Sequence, residues 1–396
     1  MAQPFDPAAA TAAYLAVLTP AQHAKATAYT HGSEWLLLWQ MLVAVLVAWL
    51  VLKSGLLVRT RDAVERRRPH PWLAVMAVVA ADTLIETVLG LPWDVYAHWW
   101  REKAYGLSNQ AIGGFLADHA TELLIGVIVN LVMFSFLYWA IRRAPRTWWA
   151  WGGAVVAVGF MVLMLVQPVV FEPLFNHYRP APPGPMREEI VAMARQVGVP
   201  SDKILIYNGS KQSNRYSANV SGLGATSRIA MSDVMFQKDA DLAEVRGVVG
   251  HEMGHYVHKH IFIDAALYGL VGVLCFFLVD RLFPLFVRLL GARGVAGLAD
   301  PAGLPVIGAV VAVLSLLGAP LIASITRVTE ADADRFSLEQ FNEPDGLSKA
   351  LVKTIEYRAS APSALEEFLF YNHESVGHRV RKAMDWKAQH PKPPSP

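Results

Sequence analysis

Six long apolar runs constrain the fold of this chain more than any other feature of its sequence. Each run is close to the roughly 20 residues that a helix needs to cross a hydrocarbon core of about 30 Å. The runs cover residues 36–58, 72–91, 122–141, 148–171, 261–283 and 303–325. Only 17% of the 396 residues are charged, whereas a soluble domain has about a quarter. The sequence therefore predicts an α-helical integral membrane protein with six spans.

Polar residues inside the runs indicate that the helix bundle has a wet interior. Asp82 and Glu86 are four residues apart in the second run, so they share one helical face. Asn130 lies in the third run, and Asp264 and Asp280 lie near the ends of the fifth. Ionisable groups in a membrane usually face the bundle interior or a water-filled cavity. We therefore expect Asp82 and Glu86 to face such a cavity.

The remaining sequence predicts a small α+β domain assembled from two separated segments. Its first segment opens with a Pro-rich linker (179–185), followed by a helix (187–197), a strand (203–207), a loop (208–224), a second strand (228–231) and a helix starting near Asp239. The predicted parts are an N-terminal surface segment of short helices (1–34), four spans (35–171), the first part of the α+β domain (172–260), two spans (261–326), its helical C-terminal part (327–389) and a disordered tail (390–396).

Charge and cysteine content exclude several classes of function. The formal net charge is only +2, and no basic run is interleaved with aromatic residues, so we expect no nucleic-acid partner. The single cysteine, Cys275, excludes both an intramolecular disulfide and a thiolate metal site. Residues 1–30 lack the basic start and cleavage site of a signal peptide.

One short motif carries the chemistry. His251, Glu252 and His255 form a His-Glu-x-x-His pattern on the helix predicted from Asp239. Histidines four residues apart project from one face of a helix and can share one Zn²⁺ ion, leaving an open position for a water molecule as nucleophile. Glu252 can take a proton from that water and pass it to the leaving amine. The alternative is a surface helix with incidental histidines, because His258 and His260 make this stretch generally His-rich.

A catalytic zinc ion needs a third protein ligand. The acidic segment 327–335, directly after the sixth run, offers three candidates. Glu330 is the best of them, and Asp334, one helical turn further on, suits a carboxylate that hydrogen-bonds a ligand imidazole. Spacing alone leaves Glu330, Asp332 and Asp334 open as the ligand.

With these residues in hand, the sequence resembles the type I CAAX prenyl proteases, zinc metallopeptidases of eukaryotic membranes with many bacterial relatives. The resemblance runs from Leu89 to about Met384. The matching motifs are Gly-Leu-Pro-Trp-Asp-Val-Tyr at 90–96, Glu-Lys-Ala-Tyr-Gly at 102–106, Pro-Leu-Phe-Asn at 173–176, Asn-Gly-Ser-Lys at 208–211, Gly-His-Glu-Met-Gly-His at 250–255, Arg-x-x-Glu-x-x-Ala-Asp at 327–334 and Tyr-x-His at 371–373.

The resemblance implies roles for further residues. It makes His251, His255 and Glu330 the ligands of one zinc ion per chain and Glu252 the base. Asp334 matches an aspartate behind the ligands, Arg327 a structural arginine, and Arg379 an arginine that follows the C-terminal histidine. That histidine, His373, lies near the metal in the family, where it can stabilise the oxyanion. The family's substrate-binding edge strand corresponds to Ser217, Ala218, Asn219 and Val220.

Two departures and one difference in span number accompany the match. Asn219 stands where the family usually has an aromatic residue, and Glu374 replaces a proline after His373. Eukaryotic members have seven spans around a water-filled chamber, and the span not found here corresponds to the first. The resemblance therefore implies a bundle of six spans, or seven helices, around a chamber that Asp82, Glu86 and Asn130 line.

These observations lead to one favoured function and two alternatives. The favoured function is a zinc endopeptidase, with CAAX-type C-terminal tails, prenylated or not, as the implied substrates. The alternatives are a general quality-control protease for membrane proteins and a non-enzymatic chamber that keeps zinc for structure. We expect a monomer in lipid, in a bacterial inner membrane, because the Ala-, Val-, Gly- and Arg-rich composition suggests a GC-rich bacterial source. Basic residues after the first and third runs favour a site outside the cytoplasm, whereas the resemblance implies the cytoplasmic side.

Overall fold

The computed structural model describes residues 5–68, 70–215, 217–222, 226–237 and 241–391. Helices dominate this part of the chain. They are α1 (Pro7–Leu15), α2 (Pro20–Ser54), α3 (Leu56–Arg67), α4 (Pro71–Asp94), α5 (Arg101–Ala104), α6 (Ile112–Arg143), α7 (Trp148–Val166), α8 (Glu172–Phe175), α9 (Pro185–Gln196), α10 (Val234–Gln237), α11 (Leu242–Val257), α12 (His260–Leu290), α13 (Leu304–Phe341), α14 (Pro344–Lys353), α15 (Ala364–Phe370) and α16 (Val376–Gln389). Two π-helical segments, Val95–Trp100 and Gln167–Phe171, join α4 to α5 and α7 to α8. The predicted tail lies outside the described residues from position 392 onward.

Six of the described helical stretches are long and apolar enough to cross a membrane, which confirms the six predicted spans. They are Pro20–Ser54, Pro71–Ala104, Ile112–Arg143, Trp148–Phe175, His260–Leu290 and Pro301–Phe341. Within their most apolar windows only 6 to 28% of the residues are buried. Water-soluble proteins do not expose apolar surface on this scale, so the outer faces of these helices require lipid.

Two of the spans are much longer than the membrane is thick. The 38 residues of α13 extend about 57 Å at about 1.5 Å per residue, against a hydrocarbon core of about 30 Å. The predicted boundary between 326 and 327 therefore lies inside one continuous helix. The predicted boundary between 34 and 35 likewise falls inside α2. Both predicted boundaries fall inside helices because hydropathy locates the end of the apolar stretch and not the end of the helix.

The N-terminal segment consists of the short helix α1, which has no buried residue, and the start of the long helix α2, which is partly buried. Ala26, on α2, is 1% exposed and belongs to an apolar cluster with residues of α13, α14 and α16. Tyr14, on α1, donates a hydrogen bond of 2.7 Å to Asp345. The small side chains of this Ala-rich segment permit such close packing. Both ends of the described chain therefore meet on one side of the bundle.

A four-stranded sheet forms the centre of the α+β domain. Its strands are β1 (Tyr178–Pro180), β2 (Ile204–Tyr207), β3 (Ala218–Ser221) and β4 (Arg228–Ser232). Their order is β1-β2-β4-β3, with β2 parallel to β4 and the outer strands antiparallel to their neighbours.

The local residue pattern predicts neither β1 nor β3, although the resemblance implies an edge strand at residues 217–220. β1 lies partly in the predicted Pro-rich linker and β3 in the predicted loop 208–224. Both are short strands at the two sides of the sheet, where only one neighbour shapes their sequence pattern. Asp239 lies outside the described residues, and α11 begins at Leu242, where Asp241 accepts a hydrogen bond of 2.9 Å from the main-chain N–H of Ala243.

The polar residues of the spans differ in their surroundings. Asp82 is only 3% exposed, and its Oδ1 has no hydrogen-bond partner among the described residues, so this side chain does not lie on an open cavity wall. Glu86 is half-buried beside Gly308 on α13. Asn130 donates a hydrogen bond of 3.1 Å to Thr83, joining α6 to α4. These groups lie between packed helices. A separate cavity of about 810 Å³ opens between α2, the end of α4 and the start of α6.

Candidate metal centre

Two imidazoles on one face of α11 form the centre of the site. His251 and His255 lie one turn apart, so both rings project to the same side of the helix. Their Nε2 atoms are 3.2 Å apart. The buried face of α11 holds both rings against the end of α13, so the two nitrogens face a common region.

Glycines let α11 approach α13 closely enough to complete this centre. A Cβ added to Gly250 would stand 2.6 Å from Cδ2 of Phe341, and one added to Gly254 would stand 3.1 Å from Cα of Ala333. Any larger residue at either position would push the helices apart. The close approach brings Glu330, one turn before Ala333, to the two histidines.

The three side chains fit a single metal ion. Oε2 of Glu330 lies 3.1 Å from Nε2 of His251, and Oε1 lies 3.6 Å from Nε2 of His255. Two ligand atoms at about 2.05 Å from a tetrahedral zinc ion are about 3.3 Å apart. In addition, Oε2 of Glu330 is buried and no donor among the described residues reaches it with hydrogen-bond geometry. A bound cation would satisfy this oxygen.

A buried ion pair holds His251 from behind. Its Nδ1 lies 2.8 Å from Oδ1 of Asp334, which is in turn bound by Nε and Nη2 of Arg379 at 2.6 and 2.7 Å. Burial lowers the pKa of His251, but its contacts with Asp334 and Glu330 outweigh this and raise the pKa to about 10. A metal binds the deprotonated nitrogen, so an ion that binds here must displace a proton.

A second relay holds His255, and the sequence did not reveal it. Nδ1 of His255 lies 2.9 Å from Nδ1 of His260, and Nε2 of His260 lies 3.0 Å from Oδ2 of Asp332. Asp332, one of the three possible third ligands, therefore lies against His258 and His260 and not between His251 and His255. In the sequence, His260 is one histidine of a generally His-rich stretch. His260 lies directly after the corner between α11 and α12. The geometry of this corner, which the sequence does not report, brings its ring next to that of His255.

Glu252 follows His251 on α11 and is partly buried. Burial raises the pKa of its carboxyl group, and the adjacent His251 and His255 oppose part of the rise. A carboxylate whose pKa is raised toward neutral accepts and returns protons more effectively at physiological pH.

His373 approaches the centre from the C-terminal segment. Its Nε2 lies 2.9 Å from Oε2 of Glu330. Burial lowers its pKa to about 4, although the contact with Glu330 opposes this, so the ring is neutral at pH 7. Arg327 does not touch the ligands. It binds the main-chain oxygens of Glu367 and Tyr371, and so fixes the segment that leads to His373.

The strand β3 presents a free edge beside α11. It has only β4 as a neighbour among the described strands. The main-chain N–H of Ser232 donates to the oxygen of Ser217 at 2.8 Å, and alternate residues of an antiparallel strand face its partner. The main-chain groups of Ala218 and Val220 therefore point to the free edge, whereas those of Asn219 face β4.

Two family models match almost the whole chain. Residues 8–177 match the model of the CAAX prenyl protease N-terminal region, which is described as having five membrane helices. Residues 180–393 match the model of peptidase family M48. The two matched regions meet at β1, where the α+β domain begins.

Individual relatives agree with these matches. An uncharacterized metalloprotease of Bacillus subtilis, YhfN, is 27% identical over 373 residues, which are 92% of this chain and 86% of its own length. The human CAAX prenyl protease 1 homolog is 25% identical over 232 residues, which are 50% of this chain and 49% of its own. The match therefore spans about half the length of the human protein.

A solved structure shares the fold. The crystal structure of Ste24p from S. mikatae superimposes with a TM-score of 0.67 and 22% sequence identity, covering 79% of this chain and 76% of that protein. The arrangement of a helical bundle with a small α+β domain is therefore common to both proteins.

Proposed function

This chain belongs to peptidase family M48 and is a membrane metalloendopeptidase, and we propose that it cleaves peptide bonds with one zinc ion held by His251, His255 and Glu330. The observation that carries the proposal is the convergence of three ligand atoms from α11 and α13 within 4.8 Å of one another. Two histidines and a glutamate are a common ligand set of catalytic zinc, which keeps one position open.

Each remaining residue of the centre has a part in the proposed reaction. A bound zinc ion would polarise the scissile carbonyl and make a water molecule more acidic. Glu252 accepts the proton of the attacking water and delivers it to the leaving amine. His373, as a neutral ring, donates a hydrogen bond where negative charge develops on the carbonyl oxygen. Asp334 and Arg379 orient His251 for this work.

The free edge of β3 supports an extended peptide as the substrate. A peptide can add to such an edge as a further strand, using main-chain hydrogen bonds to Ala218 and Val220. Side chains of the substrate then alternate between the protein and the solvent. The edge runs along α11, which carries Glu252, so a bound peptide passes the metal centre.

We propose C-terminal protein tails of the CAAX type as the substrate class, because the human relative is named for that activity. The competing candidate is general clearance of damaged membrane proteins. The Bacillus subtilis match and the Ala-, Val-, Gly- and Arg-rich composition favour it, because they suggest a bacterial source, where prenylated proteins are not expected. We further propose a monomer in a bacterial inner membrane with the site on the cytoplasmic side.

The test is cleavage of a peptide library by the full-length protein in detergent. Half of the peptides carry a farnesylated cysteine near the C-terminus. We expect the wild type to contain one zinc ion and cleave, and Glu252→Gln to keep the zinc but lose at least 100-fold in rate. Glu339→Gln, which changes an exposed glutamate of α13, is the control. Full activity of Glu252→Gln contradicts the mechanism, and cleavage of unmodified peptides alone favours general proteolysis.

Membrane orientation needs a separate measurement. Alkaline phosphatase and a cytoplasmic reporter, fused in turn after residue 389, show on which side the C-terminus lies. A phosphatase signal contradicts the cytoplasmic placement and agrees with the distribution of basic residues.

A further inference from the structure

A second cluster of metal-ligating side chains lies beside the catalytic centre. His258, His260 and Asp332 each offer one ligand atom, and these atoms lie within 4.8 Å of one another. Nδ1 of His258 contacts Oδ2 of Asp332, and Nε2 of His260 lies 3.0 Å from the same oxygen. We propose that this cluster binds a second divalent ion of the zinc class and that the ion, when bound, inhibits the enzyme.

The corner between α11 and α12 creates the cluster. Lys259, between the two histidines, has a left-handed backbone with φ of 57°, which is uncommon for a residue other than glycine. At this turn α11 ends at Val257, with His258 as its C-cap, and α12 starts at His260. Two rings from adjacent helices are thereby brought against one carboxylate of α13. Strained backbone of this kind is often found at functional sites.

The donor set and its exposure suit an ion that enters from water. Two imidazoles and one carboxylate are ligands that zinc accepts, and the remaining position is open to water. The side chains of His258 and Asp332 are 39 and 42% exposed, whereas that of His260 is 5% exposed. The site therefore has one buried ligand that links it to the catalytic centre and two that face the solvent.

Proton positions make the two metal sites antagonistic. When His255 binds an ion through Nε2, its Nδ1 carries the ring proton and donates it to Nδ1 of His260. His260 then carries its own proton on Nε2, toward Asp332. To bind a second ion through Nε2 and stay neutral, His260 must move its single ring proton from Nε2 to Nδ1. Two N–H groups would then face each other across 2.9 Å.

Occupancy of the second site therefore breaks the hydrogen bond that orients His255. Loss of such a partner behind a metal ligand typically costs 10–100-fold in metal affinity or activity. Because binding linkage is reciprocal, the catalytic ion weakens the second site by the same factor. The inhibitory effect rests on the proposed function, whereas the second metal site does not.

The experiment uses His258→Phe in the full-length protein. Phenylalanine keeps the ring contact that His258 makes with Phe336 but has no ligand atom. His258→Gln is a second variant of different shape, and His70→Phe removes an exposed histidine elsewhere. Bound Zn²⁺ is counted by equilibrium dialysis and metal analysis, and peptide cleavage is measured over rising Zn²⁺ concentration.

At saturating Zn²⁺ we expect two ions in the wild type and in His70→Phe, and one in both His258 variants, whereas the purified wild type carries only the catalytic ion. Wild-type activity should fall about tenfold or more as the second ion binds, and this phase should be absent without His258. His251→Ala, which lacks a catalytic ligand, should bind its remaining ion about 10–100-fold more tightly than the wild type binds its second. Two ions in the His258 variants, one in the wild type, or equal inhibition in all proteins would overturn the proposal. Ion counts decide the site even if no peptide is cleaved.

Discussion

The buried pair of Asp334 and Arg379 allows the support of His251 to be separated from the stability of the fold. Asp334 accepts hydrogen bonds from Arg379 and from His251, and the side chains of the pair are only 12 and 8% exposed. Asparagine at position 334 keeps one acceptor oxygen but loses the charge. Breaking a buried pair in this way costs about 3–5 kcal/mol, because it leaves an unpaired buried cation.

We therefore expect Asp334→Asn to lower the free energy of unfolding by about 3–5 kcal/mol and zinc affinity by about 10–100-fold. Adding Arg379→Met removes the unpaired cation, so stability should return to within about 2 kcal/mol of the wild type. Zinc affinity should stay low in the double variant, because the negative acceptor behind His251 is still missing.

Unfolding is followed in detergent with a chelator present, so that bound metal does not contribute to stability. Zinc affinity is measured separately by competition with an indicator. Asp385→Asn is the matched control, because Asp385 pairs with Arg381 on the same helix at 2.9 Å but with both side chains more than 40% exposed. Its cost should stay below about 1 kcal/mol. Wild-type zinc affinity in the double variant would refute the role assigned to Asp334.

Three further predictions follow from the geometry of the centre. Burial lowers the pKa of His373 from 6.5 to about 4, so between these pH values the unfolded chain binds more protons than the folded one. Stability should therefore fall as the pH drops through this window. His373→Asn should make the accompanying decline in melting temperature less steep. Gly250→Ala should cost about 1–3 kcal/mol by forcing α11 from α13, and reduce zinc content, whereas Gly318→Ala, which meets open space, should not. Val220→Pro, which removes a main-chain donor at the free edge, should lower kcat/KM about 3–10-fold, while Val220→Ala should retain most activity; equal loss in both would contradict strand pairing.

The sequence was most informative where a single periodicity decides the structure. Apolar runs of membrane length located all six spans, and the spacing of His251 and His255 placed both rings on one face. Spacing could not choose between Glu330 and Asp332, because both lie on the same helix within two residues. The choice depends on how α13 is rotated against α11, which the contacts of Gly250 and Gly254 determine.

The relay from His255 to Asp332 was inaccessible for a related reason. His260 follows His255 by five residues, a spacing that does not place two side chains together on an uninterrupted helix. The left-handed backbone of Lys259 ends the helix between them and changes their geometry. The buried position of Asp82 likewise depends on the packing of α4, α6 and α13, which hydropathy does not report.

The continuity of α13 has a consequence for how this enzyme can be dissected. One uninterrupted helix begins among the spans at Leu304 and ends at Phe341 in the α+β domain, with Glu330 in its second half. Any cut that frees the α+β domain from the lipid-facing helices must pass through this helix or discard Glu330. The proteolytic part is therefore not a module that can be excised or transplanted onto another anchor. The same helix, α13, both crosses the membrane and positions Glu330.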